Sequence, residues 1–172
     1  MRPARIVAAA GLALALGFCG TGAWTYAQAR GDDSLAYGRE RDAALTDGRR
    51  AVAVLTTLDA STKERSRAGI RAWQAASTGP LRDELGRTEP RTGPSARGTV
   101  TEAAVTALDT RAGTAKLIAA VRVEVTQGGT KSSSTDRKRL EAVLARTGPG
   151  GEWKVQALNA VPLARTAEED DG

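Results

Sequence analysis

The chain has 172 residues, with 25 Lys and Arg against 20 Asp and Glu, no histidine and a single cysteine. That length suits one compact domain, and a net charge of +5 is too small to mark a nucleic-acid surface, so no nucleic acid is expected among the partners. Without histidine, Ser-His-Asp and Cys-His nucleophilic sites and histidine metal centres are excluded; no catalytic residue, metal or cofactor is expected.

Residues 6–29 read IVAAAGLALALGFCGTGAWTYAQA and carry no charge. A bilayer core about 30 Å thick is crossed by roughly 20 apolar residues of helix, so this run predicts a transmembrane helix. Trp24 and Tyr26, near its far end, suit the headgroup region. Arg2 and Arg5 precede the run, whereas Arg30 is followed at once by Asp32 and Asp33. That asymmetry predicts residues 1–5 in the cytoplasm and 30–172 outside, a single-pass protein of the cell membrane with the lipid bilayer as its first partner. Ala27-Gln28-Ala29 keeps a second reading open, a signal peptide cut after Ala29, under which the same domain is exported. Cys19 follows bulky Phe18, unlike a lipobox cysteine, and reads as a small apolar residue of the helix. An exported domain without disulfides must hold together by packing, and with 3% aromatics its core is expected to be Ala, Val and Leu.

The first exported helix is predicted over Asp32 to Leu58. Leu45, Ala51, Val52, Leu55 and Leu58 recur at three- and four-residue steps, and Asp32 or Asp33 suits the N-cap. The charges on its other faces read as a solvated surface, with partner binding as the alternative. Ala60-Ser61-Thr62 supplies a fresh cap for a second helix, Lys63 to Ala76, which carries Ala68, Ile70 and Trp73. Ser77-Thr78-Gly79-Pro80 breaks it, Leu81 to Leu85 forms a further short turn of helix, and the Gly- and Pro-rich residues 86–98 are expected as a loop.

From Thr99 the period becomes strand-like. The predicted strands are Thr99 to Leu108; Lys116 to Thr126, with Leu117, Ala119, Val121, Val123 and Val125 on one face; Ser133 to Arg146, with Leu140, Ala142 and Leu144; and Glu152 to Val161, with Trp153, Val155 and Ala157. Within the third, DRKRLEAVLAR contains good helix formers and taken alone also reads as a helix. Turns at 109–113, 127–130 and 147–151 join the strands as a meander. Helices followed by a meander indicate the α+β class, with helices packed on one face of a curved four-stranded antiparallel sheet in a domain spanning 30–161. Residues 162–172, which contain Glu168, Glu169, Asp170 and Asp171, read as a disordered acidic tail.

The single N-terminal anchor, the helix end Leu55-Thr56-Thr57-Leu58-Asp59, the Thr78-Gly79-Pro80-Leu81 bend and the closing Gly151-Glu152-Trp153-Lys154-Val155 strand resemble the actinobacterial Mce-associated membrane proteins. The resemblance implies an exported domain with a nuclear-transport-factor-2-like (NTF2-like) cone. It also implies an accessory role beside Mce-type lipid importers or elsewhere in the cell envelope, and it brings no catalytic residues. The chain departs from the family pattern in its helix-to-sheet loop, rich in Gly, Pro and Arg, and in the sparse apolar residues of its second helix.

Three carboxylates, Asp59, Glu102 and Glu124, are flanked by apolar residues and suit acid–base work; the plainer reading is that Asp59 caps or ends a helix and the glutamates face solvent. Trp73 and Trp153 read as core anchors, with a ligand-stacking platform as the alternative. Gly148 to Gly151 lacks the Lys-Ser/Thr of a phosphate-binding loop. The candidate pocket or core residues are therefore Trp73, Trp153 and Asp59. The expected function is that of a non-enzymatic, membrane-anchored accessory or scaffold protein whose partners are other membrane or envelope proteins, such as Mce-type transporter components. The alternative is a carrier with a lipid ligand in the cone pocket. An enzyme ranks third.

Overall fold

The computed structural model describes residues 33–127 and 133–161. The predicted membrane span 6–29, the acidic tail 162–172, Asp32 and residues 128–130 of the second turn lie outside the described residues. Among the described residues, no helix is long and apolar enough to cross a membrane. The chain divides into two units, Met1–Glu40 and Arg41–Gly172. The described part of the first is the opening of helix α1 (Asp33–Leu55), where Leu35 and Tyr37 are exposed. The second holds the rest of α1, then α2 (Lys63–Ala76), α3 (Gly79–Gly86) and strands β1 (Ser95–Asp109), β2 (Thr114–Thr126), β3 (Ser133–Arg146) and β4 (Trp153–Ala160).

The described residues thus form an α+β fold of three helices and one antiparallel sheet in the order β1-β2-β3-β4, the expected meander. Residues 133–146 are a strand, paired with β2 along its length from Ser133 to Ala145 and with β4 from Leu140 to Arg146. The period-two burial of Leu140, Ala142 and Leu144 outweighs the local helix propensity, because a helix would take these side chains off a shared face. On the inner face, fully buried Leu117, Val121, Leu144 and Val155 meet Ala44, Ala51 and Val52 of α1, each large side chain contributing about 1.5–3 kcal/mol of burial. Gly48 permits the approach: a Cβ there would stand 2.9 Å from the Cδ1 atoms of both Leu117 and Leu144.

Four expectations are corrected. First, α1 ends at Leu55 rather than Leu58. The hydroxyls of Thr56 and Thr57 turn back onto the carbonyls of Val52 and Ala53, at 2.8 Å each, and the indole of Trp73 takes the carbonyl of Val54 at 2.9 Å. With the last carbonyls satisfied from outside, the backbone is free to leave the helix, and Leu58 instead exchanges backbone hydrogen bonds of 2.8 Å with Ala96.

Second, β1 begins at Ser95, so the Gly- and Pro-rich loop stops there and does not reach residue 98. Gly98, which suggested loop, is needed in the strand: a Cβ on it would collide with the side chain of Thr56. Third, β1 carries two bulges, at Thr101 and Thr106, each an extra residue whose hydroxyl donates to a β2 carbonyl, Ala120 at 3.1 Å and Lys116 at 3.4 Å. The core-facing positions Val100, Ala103, Val105 and Leu108 therefore step by three at each bulge, which blurs the sequence alternation.

Fourth, the face shared by Trp153 and Val155 does not continue to Ala157. A bulge between Val143 and Leu144 pairs Leu144 with Val155 but Val143 with Ala157, and Leu158, opposite buried Ala142, joins the core in its place.

Candidate functional site

Helix α1 has two apolar faces. Ala44, Gly48, Ala51 and Val52 point to the sheet, while Ala53 and Val54 look the other way, toward α2. Between this second face, α2 and the start of β1 lies an open groove of about 690 Å³, floored by Ala53, Val54, Thr57, Ala68, Gly69, Ala72 and Gly98. A second hollow of about 360 Å³ shares Arg50, Val54 and Ala72 with it and continues past Ala75 and Ala76 to Glu152, Trp153 and Lys154. The α2 wall is a stripe of small residues at four-residue steps, Ala68, Ala72 and Ala76, which α2 displays on one face because 3.6 residues make a turn.

The charged residues that line the two hollows are paired with one another. Arg50 meets Asp47 at 3.1 Å, Arg65 meets Asp59 at 2.9 Å and Lys154 meets Glu152 at 3.9 Å. Such exposed pairs contribute about 0–1 kcal/mol to stability, but they leave the groove without an uncompensated charge. What the groove offers is apolar contact and shape.

Asp59 closes one end. Its carboxylate accepts from the Ser61 hydroxyl at 2.6 Å, the Ser61 N–H at 3.0 Å and the Arg65 guanidinium at 2.9 Å. These bonds, that of the Ser61 hydroxyl first, favour the charged form and lower its pKa to about 2. A group held ionised in this way is a poor proton donor or acceptor near neutrality, so Asp59 orders the α1–α2 connection and leaves the N-cap of α2 to Thr62, whose hydroxyl accepts from Arg65 N at 3.2 Å.

Trp73 is half-buried and outside the sheet core. Its Nε1 donates to the carbonyls of Val54, at 2.9 Å, and Thr57, at 2.8 Å, which ties α2 to the end of α1 and sets the width of the groove. Trp153 is in the core, 2% exposed, and also lines the far hollow. Its backbone N–H donates to Asp47 at 3.2 Å, the Arg146 guanidinium stands 5.8 Å from its ring centroid, and its buried Nε1 has no acceptor among the described residues. Glu102 and Glu124 are exposed on the outer face of the sheet. Among the described residues, no three acidic or thiol groups come together as metal ligands.

Of the three candidate residues, Trp153 lines the second hollow, Trp73 lines neither and braces α2 against the end of α1, and Asp59 alone reaches the first groove. Sequence reasoning missed its floor. The signal was present, in the uninterrupted Ala51-Val52-Ala53-Val54, too wide for a single face, and in the alanine stripe of α2.

No protein-family model matches the chain, and no curated protein matches it at a significant level. Solved structures with a similar fold include an NTF2-like protein involved in plasmid conjugation, 10% identical over 74% of this chain, with a TM-score of 0.47; this chain spans 51% of that one. The TraE protein, solved with 2-(2-furyl)isonicotinic acid, is 11% identical over 66% of this chain and 90% of its own, with a TM-score of 0.45. An IcmL-like type IV secretion system protein from Legionella pneumophila subsp. pneumophila str. Philadelphia 1 is 11% identical over 77% of this chain and 94% of its own, with a TM-score of 0.47.

Proposed function

We propose that this chain is a non-enzymatic accessory protein of the cell envelope, held to the membrane by residues 6–29 with its α+β domain outside, and that the α1–α2 groove receives a partner protein. One observation carries the reading: the groove is floored by small apolar residues, and the charges around it are already neutralised in pairs. Small residues let a partner's helix or extended segment approach closely, and an uncharged apolar centre is the composition of a protein-binding patch. The resemblance to Mce-associated membrane proteins extends the proposal to an NTF2-like cone serving an Mce-type lipid importer.

The test is a photo-crosslinking residue at Ala72 in the full, membrane-embedded chain, compared with the same residue at Glu124 on the outer sheet face. A specific adduct is expected from Ala72 alone, lost on Val54→Arg. Equal labelling from both positions, or none, overturns the groove as the docking place.

A second reading has its own support. The groove volume of about 690 Å³ falls within the roughly 300–1,000 Å³ typical of small-molecule sites, and the floor suits an acyl chain. The inner face of the sheet is filled by Val52, Leu117 and Leu144, so a lipid would sit in the groove and not under the sheet. Saturable uptake of a fluorescent fatty acid by the delipidated protein, abolished by Ala72→Arg, favours the carrier.

A further inference from the structure

Arg122 of β2 and Arg137 of β3 stand directly opposite one another, both exposed, on the sheet face turned away from the helices; the strand neighbours Val121 and Val123 point the other way, into the core. The Arg139 carbonyl accepts from the Val161 N–H at 2.8 Å on the β4 side. Backbone direction alternates along a strand, so Arg137 also turns its backbone groups away from β2, and Arg122 with Arg137 is a non-hydrogen-bonded pair. In such a pair the Cα atoms are only about 4.5 Å apart and the side chains leave the sheet close together. Like charges directly opposite destabilise a sheet, and among the described residues no carboxylate forms an ion pair with either guanidinium.

Beside this pair lies a hollow of about 300 Å³, lined by the two arginines together with Thr101, Glu102 and Ala120. Ala120 sits two positions before Arg122 on β2 and offers only a methyl group, which leaves room between the longer side chains. Thr101 is the extra residue of the first β1 bulge, and its hydroxyl is already given to the Ala120 carbonyl at 3.1 Å. Glu102 pairs with Ala120 across β1 and β2, so it rises on the same face from the β1 side, with the arginine of β3 on the other. Lys138 also reaches the hollow, but it stands opposite buried Val121 and its ammonium pairs with Asp136 at 3.6 Å, so its charge serves the inner face.

We propose that this hollow binds a small phosphate ester that also carries an ammonium or hydroxyl donor, with the phosphate between Arg122 and Arg137 and the donor on Glu102. One guanidinium is enough to hold a carboxylate through two parallel bonds; two forks side by side match a phosphate, with its three free oxygens and its higher charge. Glu102 selects against a bare anion, which it repels, and for a ligand that brings a donor of its own. The volume is at the small end of the range for ligand sites, the size of a headgroup and not of a whole lipid. Soluble phosphoethanolamine and the headgroup of phosphatidylethanolamine share this chemistry. The site is on the sheet face opposite the helices and does not depend on the α1–α2 groove.

The test is equilibrium dialysis of labelled phosphoethanolamine against the full chain in a maltoside detergent, which contains no phosphate. Saturable binding is expected, weakened about tenfold or more by Arg122→Gln and by Arg137→Gln and unchanged by Lys138→Gln, with thermal melts reporting that each exposed substitution leaves the fold intact. Glu102→Gln is expected to act in opposite directions, weakening phosphoethanolamine and strengthening inorganic phosphate. Dihexanoyl phosphatidylethanolamine in the same detergent separates the sources: tighter binding than phosphoethanolamine assigns the site to a lipid headgroup, equal binding to a soluble ester. Absence of saturable binding, or binding that both arginine variants retain, overturns the proposal. So does a Glu102→Gln variant that shifts phosphoethanolamine and inorganic phosphate the same way.

Discussion

The indole of Trp73 holds the end of a different helix, its Nε1 lying 2.9 Å from the carbonyl oxygen of Val54 and 2.8 Å from that of Thr57. A single donor thereby serves two carbonyls at and just beyond the end of α1, of which that of Val54 also accepts the Thr57 N–H at 3.0 Å. Trp73→Phe keeps most of the ring but removes the donor, and is expected to destabilise the domain by about 1–3 kcal/mol, read as a lower denaturation midpoint at unchanged slope. A variant that unfolds with the parent would show that water replaces the indole at no cost.

Gly98 and Gly38 make a matched pair of tests. A methyl on Gly98 meets the Thr56 side chain and comes within 3.0 Å of the Thr56 carbonyl oxygen, so Gly98→Ala forces the α1 end away from β1 and is expected to cost more than about 2 kcal/mol. Thr56→Ala in the same chain should recover only part of that, because the backbone contact remains. Gly38 lies in α1 with nothing within 4 Å of an added Cβ, and Gly38→Ala is expected to stabilise by about 0.5–1 kcal/mol through helix propensity. Thermal melts of the three variants decide both signs.

Trp153→Ala empties a core position and is expected to cost about 3–5 kcal/mol. Trp153→Phe should cost clearly less, since the buried Nε1 forms no hydrogen bond among the described residues that the substitution could break. The bulge makes a companion prediction: Leu158→Ala lowers stability measurably, whereas Ala157→Ser stays within about 0.5 kcal/mol. The reverse order would restore an unbroken alternation along β4.

The carboxylate of Asp59 titrates at about 2 in the folded chain against a reference of 3.8. Its pKa is depressed on folding, so its stabilisation is fully present above about pH 4 and is lost as the pH falls through about 2. Asp59→Asn is expected to lower stability at neutral pH and to flatten the dependence of stability on pH between about 4 and 2. A carbon-detected NMR titration of the Asp59 carboxyl showing an ordinary midpoint would remove the basis for both.

Much of the α+β plan was legible in the chain, because the patterns that specify it are local. The steps of three and four in Lys63 to Ala76, the alternation of Leu117 to Val125 and the turn residues around Gly113 and Gly148 each follow from the geometry of one element. The absence of histidine excluded whole classes of chemistry by composition alone, and the uncharged run 6–29 fixes the membrane expectation in the same way. What the tertiary structure alone decided were features made by residues distant in sequence. The end of α1 depends on Trp73, the strand state of Gly98 depends on Thr56, and the side on which Ala157 or Leu158 faces depends on a pairing slip against Val143 and Leu144. The groove is of the same kind. Ala53, Val54 and Ala72 are too small to announce a groove by hydropathy, and they line one only because the Trp73 hydrogen bonds and the Gly98 approach set α2 and β1 beside a second face of α1.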